Sequence, residues 1–323
     1  MTAHQPIPNA LDDYRRGLAD SLARQIQKWA PEEGITSTSV PDLDLFRANS
    51  TATSMASSVY EPALCLIAQG GKTVWLGDRE IHYGPLSCLA SSVSLPVTGK
   101  ITEASEEKPY LGVKISVNPQ EVTDLLLELD EMPEETEDLG CEDSSCGLCC
   151  IQAERGLAEA ILKLTMLLDD PRDARILAPM AKREVVYRAL VSEIGVKMRK
   201  FAVDGTKAHR ISKVIAALKD RFTEPLRVPE LAEMANMSES SLFHSFKQVT
   251  RMSPLQFQKK LRLHEARRLM LSEGLEAATA SFRVGYESPS HFSREYSRLF
   301  GAPPRSDVTK LRSSNEFREA ARV

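Results

Sequence analysis

Between residues 208 and 306, apolar side chains recur every three or four positions, a spacing typical of amphipathic α-helices. The pattern predicts a short helix over 228–235, a tight turn and a second helix over 239–249. The same arrangement recurs over 277–284 and 289–299, so one supersecondary unit is present twice. The repeated positions are Ser238, Ser240, Leu242, Phe246, Val249 and Pro254, matched fifty residues later by Ser288, Ser290, Phe292, Tyr296, Leu299 and Pro304. The pattern predicts two helix-turn-helix units.

Residues at the ends of these helices support the same prediction. Asn236 and Gly285 occupy the two turns, and both residue types tolerate the positive φ angles of tight turns. Ser238 and Ser288 stand where an N-cap oxygen accepts hydrogen bonds from the first free amides. A basic helix predicted over 254–271 joins the two units and would fix their relative positions.

The second helix of each unit has two contrasting faces. Leu242, Phe246 and Val249 share one stripe and should face the core. The outward residues are Ser240, His244, Lys247 and Arg251, flanked by Phe243, and in the second unit Ser290, Arg294 and Ser297, flanked by His291 and Ser293. Such a face suits a DNA groove that presents base edges and phosphates, and the alternative for either helix alone is a solvated surface.

Two runs of sequence in this region resemble a known family. The runs "LAEMANMSESSLFHSFKQVTRMSPLQFQKKLRLHEARRLML" and "SFRVGYESPSHFSREYSRLFGAPP" are similar to the DNA-binding domain of AraC/XylS-type transcriptional regulators, in which a long helix bridges two helix-turn-helix subdomains. The resemblance implies double-stranded DNA and RNA polymerase as partners. By position, the family's base-reading places fall on Ser240, Phe243, His244, Ser290, His291, Ser293 and Arg294. Phe243 departs from the family, because a polar reader is common there, and it either contacts a thymine methyl group or packs on the flank.

Basic residues near the reading helices are candidates for phosphate contacts, which set the affinity for DNA and its salt dependence. The candidates are Lys247, Lys259, Lys260, Arg262, Arg267, Arg268 and Arg298. The charge of the whole chain hides an asymmetry that supports them. Residues 1–200 hold 20 Lys and Arg against 31 Asp and Glu, whereas residues 201–323 hold 21 against 14. A basic half that binds a polyanion and an acidic half that does not are typical of a regulator with a separate sensing domain.

The N-terminal half begins with helical spacing over 11–29, followed by segments rich in Ser and Thr over 36–39 and 50–58 that predict loops. Short β-type runs separated by Gly and Pro turns follow, which predicts a small sandwich or barrel. The runs are 63–68, 72–76, 79–83, 86–90 and 110–117. Helical patterns return over 119–132 and 153–195, and their apolar sides either pack within the domain or form a homodimer seam.

This half also resembles the same family. The segment "YEPALCLIAQGGKTVWLGDREIHYGPLSCLASSVSLPVTG" is similar to the cupin-like sensing domain of one AraC subgroup, and "LTMLLDDPRDARILAPMAKREVVYRALVSEIG" is similar to its helical continuation. The resemblance implies an α+β protein of two domains: a barrel with flanking helices over 1–200 and an all-α DNA-binding domain over 208–306, with a tail over 307–323. We assign residues 133–152 to an acidic, Cys-rich loop of the first domain.

Catalysis is not expected from this sequence. A cupin-like barrel can hold a metal, but His82 is the only histidine of the strand region, and Glu61 and Glu80 do not form a ligand spacing with it. No nucleophile elbow, phosphate loop or zinc-protease motif is present. We expect neither enzymatic activity nor a cofactor. Since the sequence has no apolar run of membrane-spanning length and no signal-peptide pattern, we expect a cytoplasmic protein without membrane contact.

Four cysteines lie within ten residues in the run "CEDSSCGLCC": Cys141, Cys146, Cys149 and Cys150. The run ends an acidic tract, and neighbouring carboxylates should raise thiol pKa values. Three hypotheses stay open: a thiol switch for an oxidant or electrophile, a site for zinc, copper(I) or arsenic(III), or an inert loop. The subgroup's association with aldehyde and quinone reductase genes favours an electrophile. The remaining cysteines, Cys65 and Cys88, are expected to be inert core thiols.

Together the patterns predict a sequence-specific DNA-binding regulator of transcription, an activator as the resemblance implies. The N-terminal domain would sense a signal, either at the cysteine cluster or as a small ligand, and would shift the protein between two states. The alternatives are an architectural protein that uses the basic half without reading sequence, and a metal-dependent cupin enzyme.

Overall fold

The computed structural model describes residues 10–51, 55–129 and 146–313. The N-terminal half contains one helix, nine strands and a further helix, then a last strand and three helices. In chain order these are α1 (Ala10–Trp29), β1 (Gly34–Ser37), β2 (Leu43–Ala48), β3 (Ala56–Tyr60), β4 (Ala63–Gln69), β5 (Gly71–Leu76), β6 (Arg79–Tyr83), β7 (Ser87–Ser91), β8 (Leu95–Glu103), β9 (Tyr110–Ser116), α2 (Pro119–Glu128), β10 (Leu148–Gln152), α3 (Arg155–Met166), α4 (Pro171–Leu190) and α5 (Glu193–Ala202).

The C-terminal half is helical within the described residues. Its helices are α6 (Lys207–Asp220), α7 (Val228–Met234), α8 (Glu239–Thr250), α9 (Pro254–Ser272), α10 (Ala277–Arg283), α11 (Pro289–Phe300) and α12 (Pro304–Ser313). The predicted α+β class with a β-rich and an all-helical domain is confirmed. None of the helices in the described ranges combines the length and the apolar composition that a membrane span requires.

The strands form two antiparallel sheets. The larger has the order β1-β2-β9-β4-β7-β10 and the smaller the order β3-β8-β5-β6. Buried side chains of both sheets, such as Ile67 and Leu89 from the larger and Val74 and Leu95 from the smaller, share one core cluster. The sheets therefore enclose a small barrel-like interior, in agreement with the sandwich or barrel predicted from the short strands and their Gly and Pro turns.

The outer face of the larger sheet is covered by helices of the same half. Leu22 and Ile26 of α1 and Ile161 and Leu164 of α3 belong to a second core cluster, which they share with this sheet, and each is 1% exposed or less. α2 packs on α4 and α5, and α3 packs on α1 and α4. The apolar sides that could have formed a dimer seam on α2 and α3 are thus covered within the chain, although Leu127 of α2 is exposed.

The barrel interior continues directly into the first helix-turn-helix unit. Val93 and Leu95 of the N-terminal half belong to the same core cluster as Phe246 and Val249 of α8 and Phe257 of α9. The second unit has its own cluster, which is built on Phe292, Tyr296 and residues of α9 and α12. The two units therefore differ in how they connect to the rest of the molecule.

Sequence and structure differ most in the N-terminal half. The predicted loops over 36–39 and 50–58 contain parts of β1 and β3, and β2 and β8 were not predicted. The segment 133–152, predicted to be a loop, ends in β10, which pairs with β7. At the C terminus, the predicted tail over 307–323 contributes α12 up to Ser313, because its apolar residues pack on α9.

Candidate nucleic-acid interface

Both reading helices begin with the caps that the sequence predicted. The Ser238 hydroxyl accepts a hydrogen bond from the amide of Ser241, and the Ser288 hydroxyl accepts one from the amide of His291, each at 3.3 Å. Asn236, in the first turn, has φ 50°, a left-handed angle that asparagine tolerates. These local features set the direction in which α8 and α11 leave their turns.

Helix α8 buries one face and exposes the other. Leu242 and Phe246 are fully buried, whereas the side chains predicted to read or hold DNA lie in solvent. The exposed residues are Ser240, Phe243, His244 and Lys247. Phe243 is 40% exposed, so it does not join the core, and its ring is free for an apolar contact.

Helix α11 repeats this division. Phe292 and Tyr296 are fully buried. Ser290, His291, Arg294 and Arg298 are exposed, and Ser293 is half-buried. Within the described residues, Arg294, Arg298 and Lys247 of α8 have no ion-pair partner. These three cations are therefore available to a bound polyanion.

Three of the basic residues predicted to contact phosphate also bind other parts of the protein. The Arg262 guanidinium of α9 donates to the Phe222 carbonyl at 2.7 Å, the Glu224 carbonyl at 2.9 Å and the Thr223 carbonyl at 3.1 Å. The same group donates to the Gly285 carbonyl at 2.8 Å, in the turn of the second unit. Arg262 thus ties the loop after α6 to the turn before α11, and a phosphate contact by Arg262 stays a prediction.

Arg267 and Arg268 are also engaged internally. Arg267 is 12% exposed, and two of its nitrogens donate to the Asp307 carboxylate, each at 2.8 Å. Tyr296 donates its hydroxyl proton to the same carboxylate at 2.7 Å. Arg268 forms an ion pair with Glu265 one turn earlier on α9. These ion pairs stabilise the second unit, and phosphate contacts by Arg267 and Arg268 stay predictions.

The remaining two basic candidates of α9 are half-buried. Lys259 donates to Glu295 of α11 at 2.7 Å, and Tyr286 donates to the other oxygen of that carboxylate at 2.8 Å. Burial opposes the charged form of Glu295, but these two donors outweigh it and lower its pKa. Through its bond to Glu295, Lys259 helps to hold α11 against α9. For Lys260, burial lowers the pKa.

The N-terminal half holds the end of α8 through a seam that the sequence did not reveal. The Gly147 amide donates to the Val249 carbonyl at 3.0 Å, and the Ser92 amide donates to the Gly147 carbonyl at 2.9 Å. A Cβ atom on Gly77 would lie 2.6 Å from the Arg251 carbonyl oxygen, so a turn of the smaller sheet also touches this end. In the sequence, the sign of such a close approach is Gly147 in the cysteine-rich run, because a residue without a Cβ atom lets another backbone come near.

The seam extends to α9 and α6. The Ser57 hydroxyl lies 3.2 Å from His264 Nε2, and His264 is 8% exposed. Lys219 of α6 forms an ion pair of 2.7 Å with Glu61, which also accepts a hydrogen bond from Ser94 at 2.5 Å. None of the predicted base-reading residues lies in the seam, so docking of the two halves leaves both reading faces exposed.

The cysteine cluster is partly built into the sheet. Cys141 lies outside the described residues, Cys146 and Cys149 are buried and Cys150 is half-buried. All three described thiols are free. Burial raises the pKa of Cys149 to about 11, and burial together with Cys149 raises the pKa of Cys150 to about 11. The pKa values of these two thiols are raised, as the sequence predicted, but the main cause is burial rather than the acidic tract.

The two members of the C-x-x-C motif lie in different core clusters. Cys146, which precedes β10, belongs to the interior cluster shared with the first unit, whereas Cys149 of β10 belongs to the cluster under the helices. In the described ranges, no three or more His, Cys, Asp and Glu side chains group as a metal site would require.

The structure also places the remaining residues of the strand region that were considered as metal ligands or as inert thiols. His82 is exposed on β6 and its Nδ1 lies 3.0 Å from the Thr73 hydroxyl. Glu61 is held by Lys219, and Glu80 is exposed. Cys88 is fully buried and Cys65 is half-buried, and burial raises the pKa of both thiols.

Comparison with known proteins places both halves. Residues 39–197 match the model of the AraC-type transcriptional regulator N-terminus, and residues 231–308 match a helix-turn-helix domain. GbdR of Pseudomonas aeruginosa is 31% identical over 103 residues, which cover 32% of this chain and 28% of that protein. The activator RhaS of Escherichia coli is 23% identical over 157 residues, or 48% of this chain and 55% of that protein. The chain thus spans from about a quarter to about half of the length of these relatives.

A solved structure shares the fold of nearly the whole chain. ToxT of Vibrio cholerae, in a crystal structure with bound (E)-4-(8-methylnaphthalen-1-yl)but-3-enoic acid, superimposes with a TM-score of 0.54 at 13% identity. The match covers 83% of this chain and 98% of that one. With one family model on each half and this shared two-domain fold, the chain belongs to the AraC family of transcriptional regulators.

Proposed function

We propose that the chain is a sequence-specific DNA-binding regulator that inserts α8 and α11 into successive major-groove segments on one side of a duplex. The observation that carries the proposal is that α8 and α11 have the same two faces. Each helix buries an apolar stripe and exposes a polar, basic face to solvent. Helix α9 fixes the two helices relative to each other, because its Arg262 and Lys259 hold α11 and the turn before it and its Phe257 packs on Phe246 of α8. A fixed spacing is what the reading of two neighbouring groove segments requires.

We assign base reading to the residues that the resemblance predicted, all of which are exposed or half-buried. They are Ser240, Phe243, His244, Ser290, His291, Ser293 and Arg294. Phosphate contact is assigned first to Lys247 and Arg298, because both are exposed and unpaired within the described residues. Lys259 and Lys260 are secondary candidates, since Lys259 is paired with Glu295 and both are half-buried.

The test begins with selection of bound sequences from random duplex DNA by the full chain. Binding to the selected site and to a scrambled duplex is then compared by fluorescence anisotropy at fixed salt. We expect a preference of about 10³-fold or more for the selected site. Equal binding would make the chain an architectural protein and overturn the proposal.

Arg294→Ala tests reading by a single residue. Because a guanidinium can bind a guanine edge through two hydrogen bonds, we expect a loss of about 1–3 kcal/mol and relaxed preference at one base pair. The measurement repeats the selection and the anisotropy titration with the variant. Arg175→Ala, an exposed arginine of α4, is the control and should change neither. Equal losses on selected and scrambled DNA would contradict base reading by Arg294.

We propose that the bound protein activates transcription by contacting RNA polymerase. The support is membership in a family that includes the activator RhaS. In a purified transcription reaction on a promoter carrying the selected site, the chain should increase transcript yield. A decrease would make the protein a repressor while leaving DNA reading intact.

Control of DNA binding is proposed to pass through the seam between the two halves, because the N-terminal half holds the end of the reading helix α8 through Gly147. Thiol sensing is a second candidate, since Cys146 is buried beside this contact. Purification without oxygen, followed by assays of bound metal and thiols, separates the hypotheses. Six slowly reacting thiols would favour a ligand, rapid loss of thiols would favour a thiol switch, and bound metal would favour a metal sensor.

We also propose that two copies of the chain pair through α4, because Ile176, Leu177 and Met180 expose large apolar side chains there. Analytical ultracentrifugation should show a dimer for the natural chain and a monomer for Met180→Asp. A monomer for both would contradict this pairing.

A further inference from the structure

His291, near the start of the reading helix α11, is held by two neighbours. Its Nε2 atom lies 3.4 Å from a carboxylate oxygen of Glu295, one turn further along the same helix. Its ring also packs edge to face against the ring of Tyr286, with the two centroids 5.8 Å apart. The His291 side chain is nevertheless 50% exposed. One edge of the imidazole is therefore fixed by protein while the rest of the ring is open to a bound duplex.

The Glu295 carboxylate is itself fixed by two hydrogen bonds. The oxygen that faces His291 accepts a hydrogen bond from Lys259 of α9 at 2.7 Å, and the other oxygen accepts one from the Tyr286 hydroxyl at 2.8 Å. Burial opposes the charge of this carboxylate, but the two donors outweigh burial and lower its pKa. A charged acceptor that is held from α9 and from the preceding turn therefore lies beside the imidazole.

This carboxylate determines which nitrogen of the neutral imidazole carries the proton. A neutral ring has one N–H donor and one nitrogen with a lone pair, and the partner of one nitrogen sets the role of the other. A lone pair on Nε2 would face the negative oxygen of Glu295, so the proton is favoured on Nε2. Nδ1, on the other edge of the ring, then has the lone pair. The neutral His291 ring therefore offers an acceptor, rather than a donor, to a group beyond the protein.

We propose that Glu295 is a positioning residue for base reading, which holds neutral His291 so that Nδ1 accepts a hydrogen bond from an exocyclic amino group in the major groove. Adenine N6 and cytosine N4 are amino groups of this kind, whereas purine N7 and guanine O6 are acceptors and would repel the lone pair of Nδ1. This inference rests on the proposed DNA-binding function and specifies the chemistry of one base contact.

The first experiment finds the base pair that His291 contacts. Sequence selection is carried out with the full chain and with His291→Ala at about pH 8, where imidazole side chains in general are neutral. We expect the variant to lose its preference at one base pair of the selected site. If no base pair changed, His291 would not read sequence and this inference alone would be wrong. If the natural chain selected no site at all, the proposed function would fail as well.

Base analogues at that pair then distinguish an amino group from an acceptor as the partner of His291. One duplex lacks the amino group, because purine replaces adenine or 2-pyrimidinone replaces cytosine, and a second lacks the purine N7, because a 7-deaza base replaces the purine. The His291 contribution is the ratio of the affinities with and without His291→Ala on the same duplex. It should be about three- to tenfold on the natural and 7-deaza duplexes, the usual effect of one hydrogen bond, and less than about twofold without the amino group. A contribution that vanished with N7 and persisted without the amino group would overturn the proposal.

Three variants, each with and without His291→Ala, test the positioning role of Glu295. In Glu295→Leu no acceptor fixes the ring, so the His291 contribution should no longer depend on the amino group. Glu295→Gln keeps an oxygen that can face Nε2 and should retain this dependence. Tyr286→Phe is the matched control and should also retain it, because it removes the donor to the other carboxylate oxygen and leaves the oxygen beside His291 in place. If Glu295→Leu weakened binding to every duplex by the same factor, Glu295 would only stabilise α11 and the proposal would be wrong.

Discussion

The two helix-turn-helix units have nearly the same sequence pattern but are held in place differently. In the first unit, the N-terminal half binds the end of α8. The Gly147 amide donates a hydrogen bond to the Val249 carbonyl, and Gly77 packs against Arg251. In the second unit, α11 is held mainly from within the C-terminal half. Its Tyr296 hydroxyl donates a hydrogen bond to the Asp307 carboxylate, and its Glu295 forms an ion pair with Lys259. The N-terminal half also packs on α11 through β3, but the backbone hydrogen bond that it makes to a reading helix goes to α8. A signal received by that half therefore has a hydrogen-bonded route to the first reading helix.

This difference suggests that the two helix-turn-helix units have different roles. The second unit, with its own core and internal ion pairs, is suited to binding DNA in a constant geometry. The first unit shares its core with the barrel, so a change in the barrel alters its support. Three predictions test this comparison.

The largest expected effect comes from breaking the buried pair of the second unit. Arg267→Ala leaves the Asp307 carboxylate buried without its bidentate partner, which typically costs about 3–5 kcal/mol. Urea unfolding and hydrogen exchange of α11 should show the loss in the second unit while α8 stays protected. Arg298→Ala, on the exposed side of α11, is the control and should change stability by about 0.5 kcal/mol or less.

The double replacement Arg267→Met with Asp307→Asn sharpens this test. Because it removes both charges and leaves an amide oxygen that can accept from the Tyr296 hydroxyl, it should recover much of the lost stability. If the double variant were as unstable as Arg267→Ala, packing rather than the uncompensated charge would explain the loss.

A smaller effect is expected from the residue that joins the two units. Arg262→Met removes hydrogen bonds from a charged donor to four carbonyl groups and should weaken binding to the full site by about 1.5–3 kcal/mol. Because the hydrogen bonds of Arg262 go to protein carbonyl groups, the slope of log affinity against log salt should not change. Lys247→Ala, the matched phosphate candidate, should reduce that slope by about 0.9.

Anisotropy titrations at several salt concentrations measure both quantities for Arg262→Met and Lys247→Ala. A reduced slope for Arg262→Met would support it as a phosphate contact and would contradict its role as the brace between the units.

The helices of the C-terminal half could be predicted from the sequence because their signals are local. Ser238 and Ser288 cap the helices that follow them, and Asn236 and Gly285 adopt the positive φ angles that their turns require. The exposed and buried faces of α8 and α11 also follow from spacing alone, which is why the candidate base readers lie in solvent.

The partners of the basic residues could not be predicted, because they come from distant parts of the chain. Arg262 and Arg267 look like phosphate contacts in sequence, yet their acceptors lie on other helices and turns. The same limit applies to β1, β3 and β10, whose Ser-, Thr- and Cys-rich sequences resemble loops until their neighbouring strands are known. The seam at Gly147 depends on two such long-range pairings at once.

The smallest expected effect is a pH dependence of the seam itself. Burial lowers the pKa of His264 to about 3, and the positive charges of Arg267 and Lys260 add to the effect. Its ring lies against Ser57 and Phe300. Since the unfolded chain binds a proton near pH 6.5 and the folded chain does not, the stability from neutral His264 is complete above pH 6.5 and declines as the pH falls towards 3.

Between pH 6.5 and pH 5 this linkage predicts a loss of about 2 kcal/mol, to be measured by urea unfolding at each pH. His264→Gln keeps a polar side chain but cannot titrate, so its stability should depend less on pH over this interval. Carboxylates titrate in both proteins, and the difference between the two profiles isolates His264. Because His264 contacts both Ser57 of the N-terminal half and Phe300 at the end of α11, acid should loosen the seam and this end of the second unit together. Equal pH profiles for the two proteins would show that His264 does not contribute.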